Sequence, residues 1–105
     1  MNRKTVQARL LDEKRAVLAQ IRASEYDLFA EDSVERSLAV QMQNRLSRIE
    51  RALLRLENGQ YGFCAACQLP INVDRLGSIP EAELCLSCQS QLERKHNELQ
   101  LYLSY

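Results

Sequence analysis

The sequence predicts a mainly α protein: an antiparallel coiled-coil hairpin, then a small four-cysteine module, then a C-terminal helix. Three observations carry this. Two long stretches repeat apolar residues in three- and four-residue steps. The three Gly and two Pro all fall between Gly59 and Pro80, so the strongest helix breakers are confined to one short region. Within and just beyond that region lie four cysteines in two pairs, Cys64-Ala-Ala-Cys67 and Cys85-Leu-Ser-Cys88, with 17 residues between the pairs. The predicted division is a hairpin over 1–58 with an acidic tip near 27–35, a four-cysteine finger over 59–90, and a helix over 91–105 packed on the base. At 105 residues the chain is one domain's worth of sequence, too small to bury a generous core without a staple.

The first predicted helix covers residues 3–26. Val6, Leu10, Val17 and Ile21 recur at helical spacing, with Leu11 and Leu18 alongside, in a background of Arg, Lys, Gln and Ala. The second covers 33–57, where Leu38, Met42, Leu46, Ile49, Leu53 and Leu56 form a heptad-like seam that Asn58-Gly59 ends as a C-cap. Each arm is about 35 Å long at roughly 1.5 Å per residue. Each stripe needs a cover, either the other arm or another molecule; the short connection favours intramolecular pairing. Leu92, Leu99 and Leu103 give the last helix its apolar stripe, and His96 shares that spacing as a helix-face residue. Tyr61 and Phe63 are expected to pack around the cysteines.

Two Cys-x2-Cys knuckles bring four thiolates within reach of one tetrahedral ion, the number and softness that Zn²⁺ prefers. Disulfides, an iron site and unliganded core cysteines are the competing readings. Met1-Asn2-Arg3-Lys4 runs into a charged amphipathic stretch with no apolar signal segment, so the expected setting is cytoplasmic and reducing, which disfavours disulfides. Cys64, Cys67, Cys85 and Cys88 are therefore the predicted ligands of one structural Zn²⁺. A closed four-thiolate shell leaves no position for water or substrate.

Charge narrows the function classes. The net charge is zero, but residues 25–35 hold Glu25, Asp27, Glu31, Asp32 and Glu35 with no base, while residues 36–57 hold five Arg against two Glu. In a hairpin this places acids at the tip and bases along the stem. Asp32 and Glu35 have the spacing of an N-cap and its N3 partner, which accounts for two acids and not five. Residues 58–105 carry three basic and five acidic groups, which argues against a nucleic-acid-binding finger. No nucleophile, general base or open metal position is visible, so no enzyme is expected. No run approaches the roughly 18 apolar residues of a membrane span.

The stretch Tyr61-Gly62-Phe63-Cys64, then Cys67, Arg75-Leu76, Pro80, Leu84-Cys85 and Cys88-Gln89, resembles the C-terminal finger of the DksA/TraR family of bacterial transcription regulators, a resemblance covering about residues 5–100. The resemblance implies a short DksA-like factor that binds RNA polymerase through its secondary channel, with tip carboxylates near the catalytic centre, modulating promoter complexes without reading DNA sequence. The family's tip motif Asp-x-x-Asp-x-Ala is matched here by Asp32, Glu35 and Ser37, and Gln68 stands where the family usually has Gly. Asp32-x-x-Glu35 is also similar to the tip of Gre-type transcript cleavage factors, which lack a four-cysteine finger. A coiled-coil zinc adaptor is the other alternative; an adaptor should dimerise, a channel-entering hairpin should be a monomer. The resemblance further implies a contact to polymerase or to guanosine tetraphosphate, the stringent-response nucleotide, at Arg48 and Arg75. Ile79 and Gln89 stand where further basic residues are expected, so nucleotide synergy should be weakened.

Overall fold

The computed structural model describes the backbone of residues 2–23 and 33–103, and the side chains of 2–23 and 36–97. Four helices follow in order: α1 (Arg3–Ala23), α2 (Ser33–Glu57), α3 (Val73–Ser78) and α4 (Leu86–Leu103). No β-strand forms among the described residues; the one β-bridge pairs Phe63 with Pro70 in antiparallel sense.

Helices α1 and α2 pack on each other as the sequence predicts. Val6, Leu10 and Val17 of α1 meet Ile49, Ala52 and Leu56 of α2, with Ile21, Leu46 and Leu53 partly buried against them. The antiparallel sense shows in the register. Val6, near the start of α1, shares a crevice with Leu56 at the end of α2, whereas Glu13 meets Arg45 about two to three turns deeper along the pair. Leu10, Val17 and Ile49 are fully buried, and each such side chain contributes about 1.5–3 kcal/mol by its removal from water.

The seam differs from expectation at its upper end. Leu38 is 37% exposed and Ala39 takes the buried position, because the facing surface of α2 is one residue round from the larger side chain. Glu13–Arg45 at 2.6 Å and Lys14–Glu50 at 3.9 Å link the arms outside the seam.

The end of α2 is a Schellman turn. Gly59 sits at φ 72°, its N–H donates to Leu56 O at 3.3 Å, and the Gln60 N–H reaches back to Arg55 O at 2.8 Å. The chain thus leaves the hairpin abruptly and enters a second, smaller cluster of Cys64, Ile71 and Leu76, with Ala82, Leu84, Cys85 and Cys88 packed around it. Tyr61 touches both clusters and donates from its hydroxyl to Pro80 O at 2.8 Å. Burial raises the phenol's pKa, so it stays a neutral donor. With two cores joined end to end, the radius of gyration is 15.9 Å, against about 13 Å for a compact chain of this size.

Two expectations change here. The last helix begins at Leu86, inside the stretch assigned to the finger, because the second knuckle is itself a helical first turn. Among the described residues α4 makes no close contact with another helix, and Leu92 is 55% exposed. The side chains of Leu99 and Leu103 lie outside the described set.

Candidate functional site

The two knuckles are built differently. The segments on either side of the first pair against each other: Ile71 N–H donates to Gly62 O at 2.7 Å and Cys64 N–H to Leu69 O at 2.8 Å. The chain between them must turn sharply, and the Gln68 N–H closes the turn on Cys64 O at 2.9 Å. The second knuckle turns the chain into α4, where the Gln89 N–H reaches Cys85 O at 2.9 Å and the Cys88 N–H points at Cys85 Sγ at 3.5 Å. Ala65 N–H to Glu83 O (2.8 Å) and Arg75 Nε to Leu84 O (3.1 Å) bind the two halves together. The short helix α3 spans the gap, with Asn72 Oδ1 accepting from Asp74 N–H at its start.

All four sulfurs lie within 4.8 Å of one another, and Cys67 Sγ is 3.8 Å from Cys85 Sγ. A tetrahedron with Zn–S bonds of about 2.3 Å has edges of about 3.8 Å, so the spacing fits zinc. The cysteines are free thiols, which leaves the disulfide reading behind. Cys64 is buried, Cys85 and Cys88 are half-buried, and Cys67 is exposed. Burial alone would push the Cys64 thiol up, but the N–H groups of Cys85, Cys67 and Ala66 around its sulfur outweigh that and bring it down to about 6. Cys88, crowded by the Cys85 and Cys64 sulfurs, is pushed up to about 12. Four sulfurs this close hold all their charge only around a cation. The set is that of a C4 zinc site, with one Zn²⁺ held by Cys64, Cys67, Cys85 and Cys88.

The remaining predicted residues fall in two places. Asp32 lies outside the described residues; Glu35 is placed only by its backbone, in the first turn of α2, and Ser37 is exposed one residue after Arg36. Arg48 and Arg75 come together on a groove of about 640 Å³ between α2, the 79–84 segment and the start of α4. Ile79 and Gln89 line the same groove, so the positions where further basic groups were sought do converge. His96 is exposed on α4, away from the cysteines' shell. Tyr61 packs as expected, whereas Phe63 is 44% exposed: its backbone is committed to the bridge with Pro70, and its carbonyl accepts from Arg55 Nη2.

Sequence reasoning missed the clamp between hairpin and finger. Arg51 holds Glu83 through Nε and Nη2, and Arg45 Nε stands 3.6 Å from Glu81 Oε1 while its Nη2 binds Glu13. Glu81 is only 6% exposed, and its Oε2 has no hydrogen-bond partner among the described residues. The available signal was Glu81-x-Glu83 just before the second knuckle, opposite an Arg-rich α2.

Residues 59–94 match the family described as the prokaryotic dksA/traR C4-type zinc finger. The chain is 27% identical over 71 residues to the RNA polymerase-binding transcription factor DksA of Escherichia coli (strain K12), covering 62% of this chain and 47% of that protein. It is 33% identical over 70 residues to the protein of the same name from Caulobacter vibrioides, covering 63% and 49%. The chain thus spans about half the length of the curated relatives it matches. In three dimensions it is similar to transcription factor DksA2 from Pseudomonas aeruginosa, with a TM-score of 0.69 over 90% of this chain and 85% of that one at 24% identity, which speaks to the fold alone. The DnaK suppressor protein from Agrobacterium tumefaciens gives 0.67 over 87% and 94% at 27% identity. The two knuckles thus match the dksA/traR C4-type zinc finger in sequence, and the hairpin with its finger is similar in fold to DksA-like proteins.

Proposed function

We propose that this protein is a non-catalytic regulator that binds RNA polymerase directly, its hairpin passing down the secondary channel to bring Asp32 and Glu35 near the catalytic centre and alter the lifetime of promoter complexes. The observation that carries the reading is the architecture: a two-helix arm, held by its own apolar seam, projects from a C4 finger as in the DksA-like structures. An arm of 21 and 25 residues reaches roughly 31–37 Å at about 1.5 Å per residue, long enough to carry a charge well away from the finger. Carboxylates delivered where water is excluded act strongly on a bound Mg²⁺ or on Lys and Arg side chains. The basic stem meets acidic surface outside the channel.

The zinc in this scheme is structural: when bound, it ties the two knuckles together and fixes the finger at the end of α2. Arg51–Glu83 and Arg45–Glu81 then hold the finger against the stem, so that docking of one orients the other. The groove bearing Arg48 and Arg75 is the proposed contact for polymerase or guanosine tetraphosphate, weakened toward the nucleotide by Ile79 and Gln89. Incubation of the zinc-loaded, tagged protein with purified core polymerase tests the reading. Retention of stoichiometric polymerase together with shortened lifetime of an unstable promoter complex is expected; absence of retention at micromolar concentrations overturns it. Release of short RNA from arrested complexes in the same assay would instead favour a cleavage factor.

A further inference from the structure

The two halves of the zinc site are not equally secure. The bonds that close the knuckles are alike, Gln68 N–H to Cys64 O and Gln89 N–H to Cys85 O, both at 2.9 Å. The residues that make them are not. Gln89 lies in α4, an 18-residue helix whose geometry any residue adopts without strain. Gln68 lies in a loop with φ 67°, the sole non-glycine residue with positive φ among those described. A side chain with a Cβ is disfavoured there because Cβ crowds the backbone, whereas glycine adopts this conformation freely. The most exposed of the four cysteines, Cys67, belongs to the same knuckle, and the buried one, Cys64, faces the finger core. One device offsets the strain: Gln68 Nε2 donates to Ala65 O at 3.3 Å, stitching the turn from outside.

We infer that Gln68 sets the residence time of the metal: zinc leaves by opening of the first knuckle at Cys67, and the left-handed Gln68 makes that opening easier than a glycine there would. The finger is thereby a module whose metal exchanges on the Cys67 side while Cys88 in α4 and Cys85 immediately before that helix keep their arrangement. Partial opening shortens the link between metal loss and detachment of residues 65–70, leaving α4 and the hairpin seam in place.

The test is the rate of zinc transfer from the loaded protein to a colorimetric chelator in excess, for wild type, Gln68→Gly, Gln68→Ala and Ala66→Gly, with native-state amide exchange on the wild type. Gln68→Gly is expected to slow zinc release about fivefold, by relief of left-handed strain. Gln68→Ala keeps the strain and loses the stitch, so release is as fast as wild type or faster. Ala66→Gly, at a position without positive φ, must not slow release; if it does, added glycine flexibility and not relief at Gln68 is responsible, and the inference fails. The Gln68 amide should exchange before the Gln89 amide. Equal release from wild type and Gln68→Gly, or exchange at Gln89 ahead of Gln68, overturns it.

Discussion

Asp32 and Glu35 face two demands that isosteric substitution separates. Asn is as good an N-cap as Asp, so Asp32→Asn should preserve the start of α2 to within a few tenths of a kcal/mol while removing the charge. Glu35→Gln does the same for the other half of a capping box. If the carboxylates act in the polymerase channel, the double variant binds polymerase normally but no longer inhibits an unstable promoter; full inhibition would leave only the capping role. The cysteines make an equally sharp demand. Replacing Cys85 by Ser should abolish stoichiometric zinc and melt the finger, leaving the α1–α2 helicity visible by circular dichroism, because binding energy at a site absent from the unfolded chain is folding energy. Zinc must also displace protons. The Cys64 thiol, held down at about 6, is ionised at neutral pH, but Cys88, pushed up to about 12, is not, so affinity strengthens as pH rises and acid expels the metal. Calorimetry in buffers of different ionisation enthalpy checks the sign. At this scale the ligands were legible from spacing alone, since two Cys-x2-Cys pairs admit few arrangements. Gln68's left-handed backbone and Phe63's exposure were not, because each is imposed by the local path of the chain.

The hairpin was legible because its period is long and regular, and its core is the set of residues the period names. Ile49 is fully buried at the centre of that seam, so Ile49→Ala should cost about 2–5 kcal/mol, read as a lowered midpoint of the hairpin's denaturant transition with the zinc stoichiometry unchanged. Ala39 and Ala52 went unnoticed as buried residues because a methyl group adds little to a hydrophobic period. The six-residue α3 was invisible for a related reason: a single capped turn between Pro70 and Pro80 is too short to show a period. Helix α4 shows the opposite failure. Its leucines predicted a packed face, yet Leu92 is solvent-exposed, since among the described residues α4 makes no close contact with α2 and only faces it across the groove that both line.

The molecule as a whole is a projecting arm on a metal-stapled base, joined by Tyr61 and by two ion-pair clamps. Glu81-x-Glu83 hinted at the clamps, but not at their pairing, because the partners are 32 and 36 residues apart in sequence and meet only once the Schellman turn at Gly59 has set the angle. The groove they frame brings Arg48, Ile79 and Gln89 together, as position-matching expected, with only the first basic. Titration of guanosine tetraphosphate into a transcription reaction should therefore enhance this protein less than a full-length DksA; equal enhancement would show that the remaining cations suffice. The central claim is that the tip of the arm reaches the polymerase's catalytic centre. A photo-reactive phenylalanine analogue in place of Phe29, within the acidic stretch, tests this in the complex with core polymerase. The account predicts crosslinks to the segment that carries the catalytic Mg²⁺ and to the mobile elements beside it. Crosslinks confined to the outer surface of the enzyme, or to a second copy of this chain, would contradict it.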